Sequence, residues 1–218
     1  MTNSIIQLLV LAGIAVFLIL RLKSVLGTRE GFEKPSAPVP IADARRNKFE
    51  VIEGGPDRDI SDHVAEGSPA AKALAAMKLA EPSFSVSEFL RGARGAYEMI
   101  LMAFERGDLA AVKPFLADDV YDAFSEVVAA RQARGLTVES EFGGIREVTL
   151  QRAEFDPRTR EAEVTIRFAS ELTSMTRDAQ GKPVDGSKPE LRRQRDVWTF
   201  ARVMGTNDPN WLLVATGE

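Results

Sequence analysis

Cysteine is absent from this 218-residue chain, and histidine occurs only once. Without cysteine there is no disulfide framework, no thiol nucleophile and no cysteine-based zinc or iron–sulfur site, a composition that is usual in a reducing compartment. The one histidine, His63, falls in a segment with the composition of a linker. Signatures such as H-E-x-x-H and G-x-S-x-G are also missing from the sequence. We therefore predict no catalytic residue, no cofactor and no metal site.

Positive charge is in slight deficit. The chain has 28 lysine and arginine residues against 32 acidic residues, which gives a net charge of −4, and its pI is near 5.3. A nucleic-acid-binding domain normally has a basic face and a pI above about 9, so nucleic acid is not an expected partner. The length suits one domain of ordinary size together with an appendage.

Residues 5–20 form a long apolar run. Gln7 is the only residue in this run that is neither apolar nor glycine. A helix of this length spans about 24 Å, less than the roughly 30 Å of a hydrocarbon core, but Arg21 and Lys23 can extend their side chains to the headgroups. We therefore predict a transmembrane helix. Its predicted anchor residues are Ile5, Ile6, Leu8, Leu9, Leu11, Ile14, Val16, Phe17, Leu18, Ile19 and Leu20.

Basic residues follow this run, and none precedes it. Arg21, Lys23 and Arg29 come directly after it, so the positive-inside rule predicts that the C-terminal domain lies in the cytoplasm. A cleaved signal peptide would need a basic start and a small-x-small cleavage site, and neither pattern is present. The prediction is a single-pass anchor with its basic flank over residues 1–26.

Residues 27–67 have the composition of a flexible linker. They contain four prolines and the pair Gly54-Gly55, and they lack helical periodicity. The charge changes sign along the chain: residues 21–48 hold seven basic against three acidic residues, whereas residues 49–68 hold one against six. The basic part either is attracted to anionic lipid or is a solvated tether with no specific role.

Residues 68–218 have the pattern of one folded domain. Ser68-Pro69 predicts a helix start, and Ser85 with Glu88 has the spacing of a capping box that starts a second, long helix. After Leu136 the apolar period becomes two. Helices followed by strands predict an α+β fold, with helices packed on a curved, mostly antiparallel sheet.

Three shorter helices are also predicted in this domain. The alanine-rich helix ending near Ala80 places Leu74 and Met77 on one face; docking on the domain is favoured over lying on a lipid surface. Asp108 is the predicted cap of a short helix. Another helix, from about Asp118, is predicted to bury Val120, Phe124, Val127 and Val128.

Aromatic residues of the long helix and the strands leave two interpretations open. They either line an apolar pocket beneath the curved sheet or fill the core. The residues concerned are Tyr97, Phe168, Trp198, Phe200 and Trp211.

Several short motifs in this domain resemble a known family. They are Phe89-x-x-Gly92-Ala93, Ala103-Phe104-x-x-Gly107-Asp108, Asp196-x-Trp198-Thr199-Phe200-x-Arg202 and Asp208-Pro209-x-Trp211-x-Leu213. Over about residues 69–216 the chain resembles the subunit 44 type of the mitochondrial inner-membrane presequence translocase, and in particular its bacterial TimA-type relatives. The resemblance implies a nuclear-transport-factor-two-like cone and a site of action at the bacterial inner (plasma) membrane.

The functional class expected from this resemblance is a non-enzymatic adaptor linked to protein translocation or membrane-complex assembly. Its expected partners are membrane lipids and inner-membrane or translocating proteins. The long charged N-terminal region of the mitochondrial proteins, which engages the channel and the matrix chaperone, has no counterpart here, so chaperone docking is not expected. A lipid-binding or envelope-scaffold module is the alternative, and an isomerase or dehydratase with a carboxylate base is a third hypothesis.

Removal of residues 1–26 is predicted to move the protein from the membrane fraction to the soluble fraction. The domain should stay folded, because a linker separates it from the anchor. Fractionation and circular dichroism measure the two effects. Protease added to spheroplasts should leave the domain of the intact protein whole. Cleavage by a signal peptidase, or digestion of the domain in spheroplasts, would contradict the predicted topology.

Overall fold

The computed structural model describes residues 57–184 and 190–217. The predicted anchor and residues 27–56 of the predicted linker lie outside this part of the chain. Within the described residues, no helix is both long enough and apolar enough to cross a membrane.

Within residues 57–184, four α-helices and one 3-10 helix precede the sheet. They are α1 Arg58–Ser61, α2 Pro69–Ala80, α3 Val86–Arg106, the 3-10 helix Ala110–Phe115 and α4 Asp118–Ala133. The sequence signals at the ends of α3 act as expected: the Ser85 side chain accepts a hydrogen bond from the Glu88 amide, and Gly107 ends the helix with a φ of 76°. The predicted start of the long helix at the capping box is confirmed.

The sheet has four antiparallel strands in the order β1-β2-β3-β4. The strands are β1 Thr137–Phe155, β2 Glu161–Arg177, β3 Glu190–Val203 and β4 Leu212–Gly217. Alternate residues of β2, such as Val164, Ile166 and Phe168, are buried, which is the period of a strand with one core-facing side. Helices packed on an antiparallel sheet confirm the predicted α+β class.

Helix α3 buries one stripe against the rest of the domain. Phe89, Ala93, Tyr97 and Ile100 recur every three or four residues along it and are buried, so one face of the helix meets the core. Helix α2 also docks, as favoured from the sequence, since its Leu74 and Met77 side chains are fully buried. The core therefore lies between these helices and one side of the sheet.

The structure differs from the predicted linker at its C-terminal end. Residues 57–67 include α1, and Ile60 is buried in the domain core. A carboxylate that the composition assigns to the linker contacts α2 and α3: Asp59 lies 2.8 Å from Lys78 and accepts a hydrogen bond from the Val86 amide. The domain therefore includes residues that the composition assigns to the linker. The composition cannot indicate this, because the partners of these residues lie too far along the chain to appear in a local pattern.

Smaller differences concern the short helices. Leu109, not Asp108, occupies the cap position of the 3-10 helix, and no side chain bonds to its first turn. In α4 Val120 and Val128 are buried as predicted. Phe124 is only partly buried, and Val127 is 36% exposed. Helix α4 thus packs through a narrower stripe than the periodicity predicts.

Trp198→Ala is predicted to lower the free energy of unfolding by about 3 to 5 kcal/mol, because the side chain is 4% exposed and its loss leaves a large cavity. That is a large share of a typical 5 to 15 kcal/mol. Trp211→Ala should cost less, since Trp211 is only partly buried. Urea unfolding of the domain measures both. A Trp198→Ala protein that unfolds at the wild-type urea concentration would show that this core description is wrong.

Candidate functional site

Four of the five aromatic residues singled out from the sequence lie in the core. The Tyr97 ring stacks on Phe168 with centroids 4.4 Å apart, and Trp198 lies 4.7 Å from Tyr97. Phe200 continues the group, 6.2 Å from Trp198. All four side chains are buried. The structure thus places them as packing between α3 and the sheet, and Phe200 also lines the groove described below.

Trp211 belongs to a second aromatic group, near the start of α3. Its ring centroid lies 4.5 Å from that of Phe89 and 5.9 Å from that of Phe84. Phe89 in turn meets the edge of Phe200 at 6.2 Å, so the two groups are continuous. Trp211 is the member with a partly exposed ring.

An open groove lies beside Trp211, and we call it the α3 groove. Its volume is about 360 Å³. Small residues of α3 and aromatic residues from several elements together form its walls. The main contributors are Gly92, Ala93, Ala96, Phe89, Phe115 and Trp211. No heavy atom lies within 4 Å of the position that a Cβ would take at Gly92, so this wall is open to an incoming side chain.

One end of the α3 groove is polar. Arg202 donates a hydrogen bond to Glu81, and the Gly205 amide donates to the same carboxylate at 2.7 Å. Both side chains are largely shielded, with 9% of Arg202 and 17% of Glu81 exposed. The hydrogen bond from Arg202 lowers the pKa of Glu81 against the opposing effect of burial. The two charges therefore compensate each other, and the exposed Glu88 leaves the groove slightly acidic.

The same arginine holds the last hairpin in place. Arg202 donates to the Pro209 carbonyl at 3.3 Å, and its guanidinium lies 5.6 Å from the Trp211 ring centroid. Asp208 accepts from the Asn210 amide at 2.9 Å, which fixes the turn that precedes Trp211. The motif residues from Asp208 to Trp211 thus shape one wall of the α3 groove. On the helix side, the ring centroids of Phe84 and Phe89 lie 6.3 Å apart, which is the contact of a hydrophobic staple, formed by the residue before the N-cap and the fourth helical residue.

A buried polar cluster lies deeper in the core. The Tyr97 hydroxyl donates to Asp196 at 2.5 Å and lies 2.8 Å from the Ser170 hydroxyl. Burial raises the pKa of Tyr97, and the bond to Asp196 raises it further. Sequence reasoning missed this cluster, although a signal exists: Asp196 has the same strand parity as Trp198 and Phe200, so it faces the core. None of the three residues lines the α3 groove.

Ionisable residues elsewhere do not gather into a metal site. Within the part of the chain that the structure describes, there is no group of three His, Asp or Glu side chains placed to hold an ion. His63, which was expected in a linker, lies with its Nε2 atom 3.2 Å from the Ser87 hydroxyl. The apolar lining and shielded ion pair of the α3 groove form a surface suited to ligand contact.

An α+β domain with an open aromatic groove has the form of a binding module. The family model of the Tim44-like domain matches residues 70–218. The chain therefore belongs to the Tim44-like family, and the family resemblance seen in the sequence is confirmed. A crystal structure of the intermembrane-space region of the chloroplast protein ARC6 is similar at 11% identity and a TM-score of 0.40, over 58% of this chain and 93% of that one. No curated protein matches the chain.

Proposed function

We propose that this protein is a membrane-anchored, non-enzymatic adaptor whose α3 groove binds an apolar segment of a partner protein. The observation that carries the proposal is the groove itself: small residues on α3 and aromatic rings together line an open space of about 360 Å³. Membership of the Tim44-like family supports an adaptor or scaffold role in membrane-associated translocation. The proposal assigns no chemical step to the domain.

The groove lining fits a protein side chain well. Tryptophan and phenylalanine are enriched among the residues that dominate protein–protein binding, particularly in shielded pockets near the interface centre. Trp211 offers a partly exposed ring beside the open wall at Gly92. An apolar side chain that enters this space would contact both walls, and the rim around Glu88 would stay in water.

The proposed location is the cytoplasmic face of the bacterial inner membrane. It rests on the apolar run at residues 5–20 and the basic residues that follow it. Tethering would raise the local concentration of the groove near inner-membrane or translocating proteins, so a weak groove contact could suffice for specific binding.

Lipid binding is the second candidate. The apolar lining of the α3 groove would accept an acyl chain, and the basic residues 21–48 would favour an anionic membrane surface. The charges at the groove favour protein over anionic lipid, however. The shielded Arg202 is already paired with Glu81, and Glu88 is exposed on the rim, so a phosphate headgroup would meet no free cation among the lining residues.

Gly92→Leu is predicted to block the α3 groove, because the new side chain would grow into the open space on its wall. Gly95→Leu is the matched control. It is also an open α3 position, but it does not line the groove. Both changes remove a helical glycine, so both should stabilise α3 by up to about 1 kcal/mol.

The measurement is quantitative copurification of inner-membrane proteins with the full-length variants, together with flotation on anionic liposomes. Partner recovery should fall about tenfold for Gly92→Leu, the loss typical of a central contact, and should stay at the wild-type level for Gly95→Leu. Equal recovery with both variants would reject the groove as the partner site. Loss of liposome binding alone with Gly92→Leu would favour the lipid candidate.

A further inference from the structure

Residues 57–63 tie the start of the domain to the start of α3, and we call them the strap. Asp59 makes the central contacts. One carboxylate oxygen accepts from the Val86 amide at 2.7 Å, and the other accepts from the Ser87 amide at 2.9 Å and from the Ser85 hydroxyl at 3.1 Å. A side chain 26 to 28 residues away thus caps α3.

Further contacts hold the strap on the domain. Lys78, near the end of α2, lies 2.8 Å from Asp59 and 2.7 Å from Asp57. Ile60 packs into the core with 7% of its surface exposed, and His63 contacts Ser87. Burial alone would raise the pKa of Asp59, but the hydrogen bonds from Lys78, Ser87 and Val86 hold it below its usual range. The strap is therefore docked by both apolar and charged contacts.

The cap supplied by the strap is not redundant with the local one. The first amides of a helix have no partner within the helix. Ser85 satisfies the Glu88 amide through its side chain and the Phe89 amide through its carbonyl. The Val86 and Ser87 amides are bonded by Asp59 instead. Release of the strap would leave the first turn of α3 with half of this capping.

That first turn is part of the candidate site. Ser85, Glu88 and Phe89 line the α3 groove, and Phe89 packs directly on Trp211 in its wall, with ring centroids 4.5 Å apart. Val86 and Ser87, whose amides the strap bonds, therefore lie between Ser85 and Glu88, two of the residues that line the groove. Fraying of that turn would move the Phe89 ring and loosen the wall that it shares with Trp211.

We propose that the strap is a conformational coupling device, in which the docking of residues 57–63 completes one wall of the α3 groove. Strap docking and groove occupancy then favour each other, and by linkage each shifts the other by the same factor. Because the strap directly follows the segment predicted to lead to the membrane, it would pass changes in that segment to the groove. This regulatory role rests on the proposed function, whereas the coupling itself does not require a partner.

The test compares Asp59→Asn with Asp62→Asn in the full-length protein. Both changes remove one carboxylate from the strap, but Asp62 is exposed, and it bonds to the Arg58 carbonyl through its backbone amide. Hydrogen–deuterium exchange of the peptide covering residues 84–91 reports the first turn of α3. Acrylamide quenching of fluorescence reports the groove, since Trp198 is buried and Trp211 is partly exposed.

Asp59→Asn should speed exchange at residues 84–91 several-fold, because the Asn side chain keeps one acceptor oxygen and its NH2 group cannot accept from the second amide, and it should increase quenching of Trp211. Asp62→Asn should change neither. If Asp59→Asn unfolds the whole domain, Lys78→Gln takes its place, because it weakens the strap and leaves the carboxylate cap intact. Lys78→Gln should then raise both signals by a smaller factor.

Two results would overturn the coupling. Unchanged exchange at residues 84–91 would show that the strap does not support the first turn of α3. Faster exchange with unchanged quenching would show a local cap that does not reach the groove. Neither readout uses a binding partner, so the coupling would stand even if the proposed adaptor function were wrong. Equally, disproof of the coupling would not change the result expected for Gly92→Leu.

Discussion

The packing of α3 on the sheet is the constraint on which the other features depend. Tyr97 stacks on Phe168 and meets Trp198, while its hydroxyl donates to Asp196 on β3. Apolar contact stabilises this packing. The hydrogen bond from the Tyr97 hydroxyl sets the position of α3 along the strands, since a hydroxyl left unpaired in the core would lower the free energy of unfolding. Helix α3 is thereby held at one position along the strands, and its first turns meet the last hairpin at the α3 groove.

Polar contacts at the groove end then stabilise an arrangement that apolar packing alone would leave loose. The shielded pair of Arg202 and Glu81 joins β3 to the residue after α2, and Arg202 also holds the turn before Trp211. Asp59 and Lys78 join the strap to α3 and α2. These contacts separately fix the start of α3, the segment after α2 and the last hairpin, and all three contribute residues to the groove lining. This explains how small residues on α3 can remain uncovered without collapse of the groove.

Local patterns in the sequence predicted the elements, and long-range contacts decided the site. The capping box at Ser85 and the glycine stop at Gly107 act within a few residues, so both were predictable. The bond between Tyr97 and Asp196 joins residues 99 positions apart, and the Asp59 cap spans 27 positions to Val86. Composition placed Asp59 in a linker because an acidic segment without apolar periodicity looks the same whether or not a distant helix needs its carboxylate.

Site-specific photo-crosslinking in intact inner membranes tests the central claim, which is that the α3 groove receives a partner protein. A photoreactive residue at Ala96 would lie in the groove. One at Arg167 would lie on the side of the sheet that faces away from the core, because its neighbours in the strand, Ile166 and Phe168, are buried on the other side. The account predicts discrete protein adducts from position 96 and not from position 167. Equal adducts from both positions, or lipid adducts alone from position 96, would contradict it.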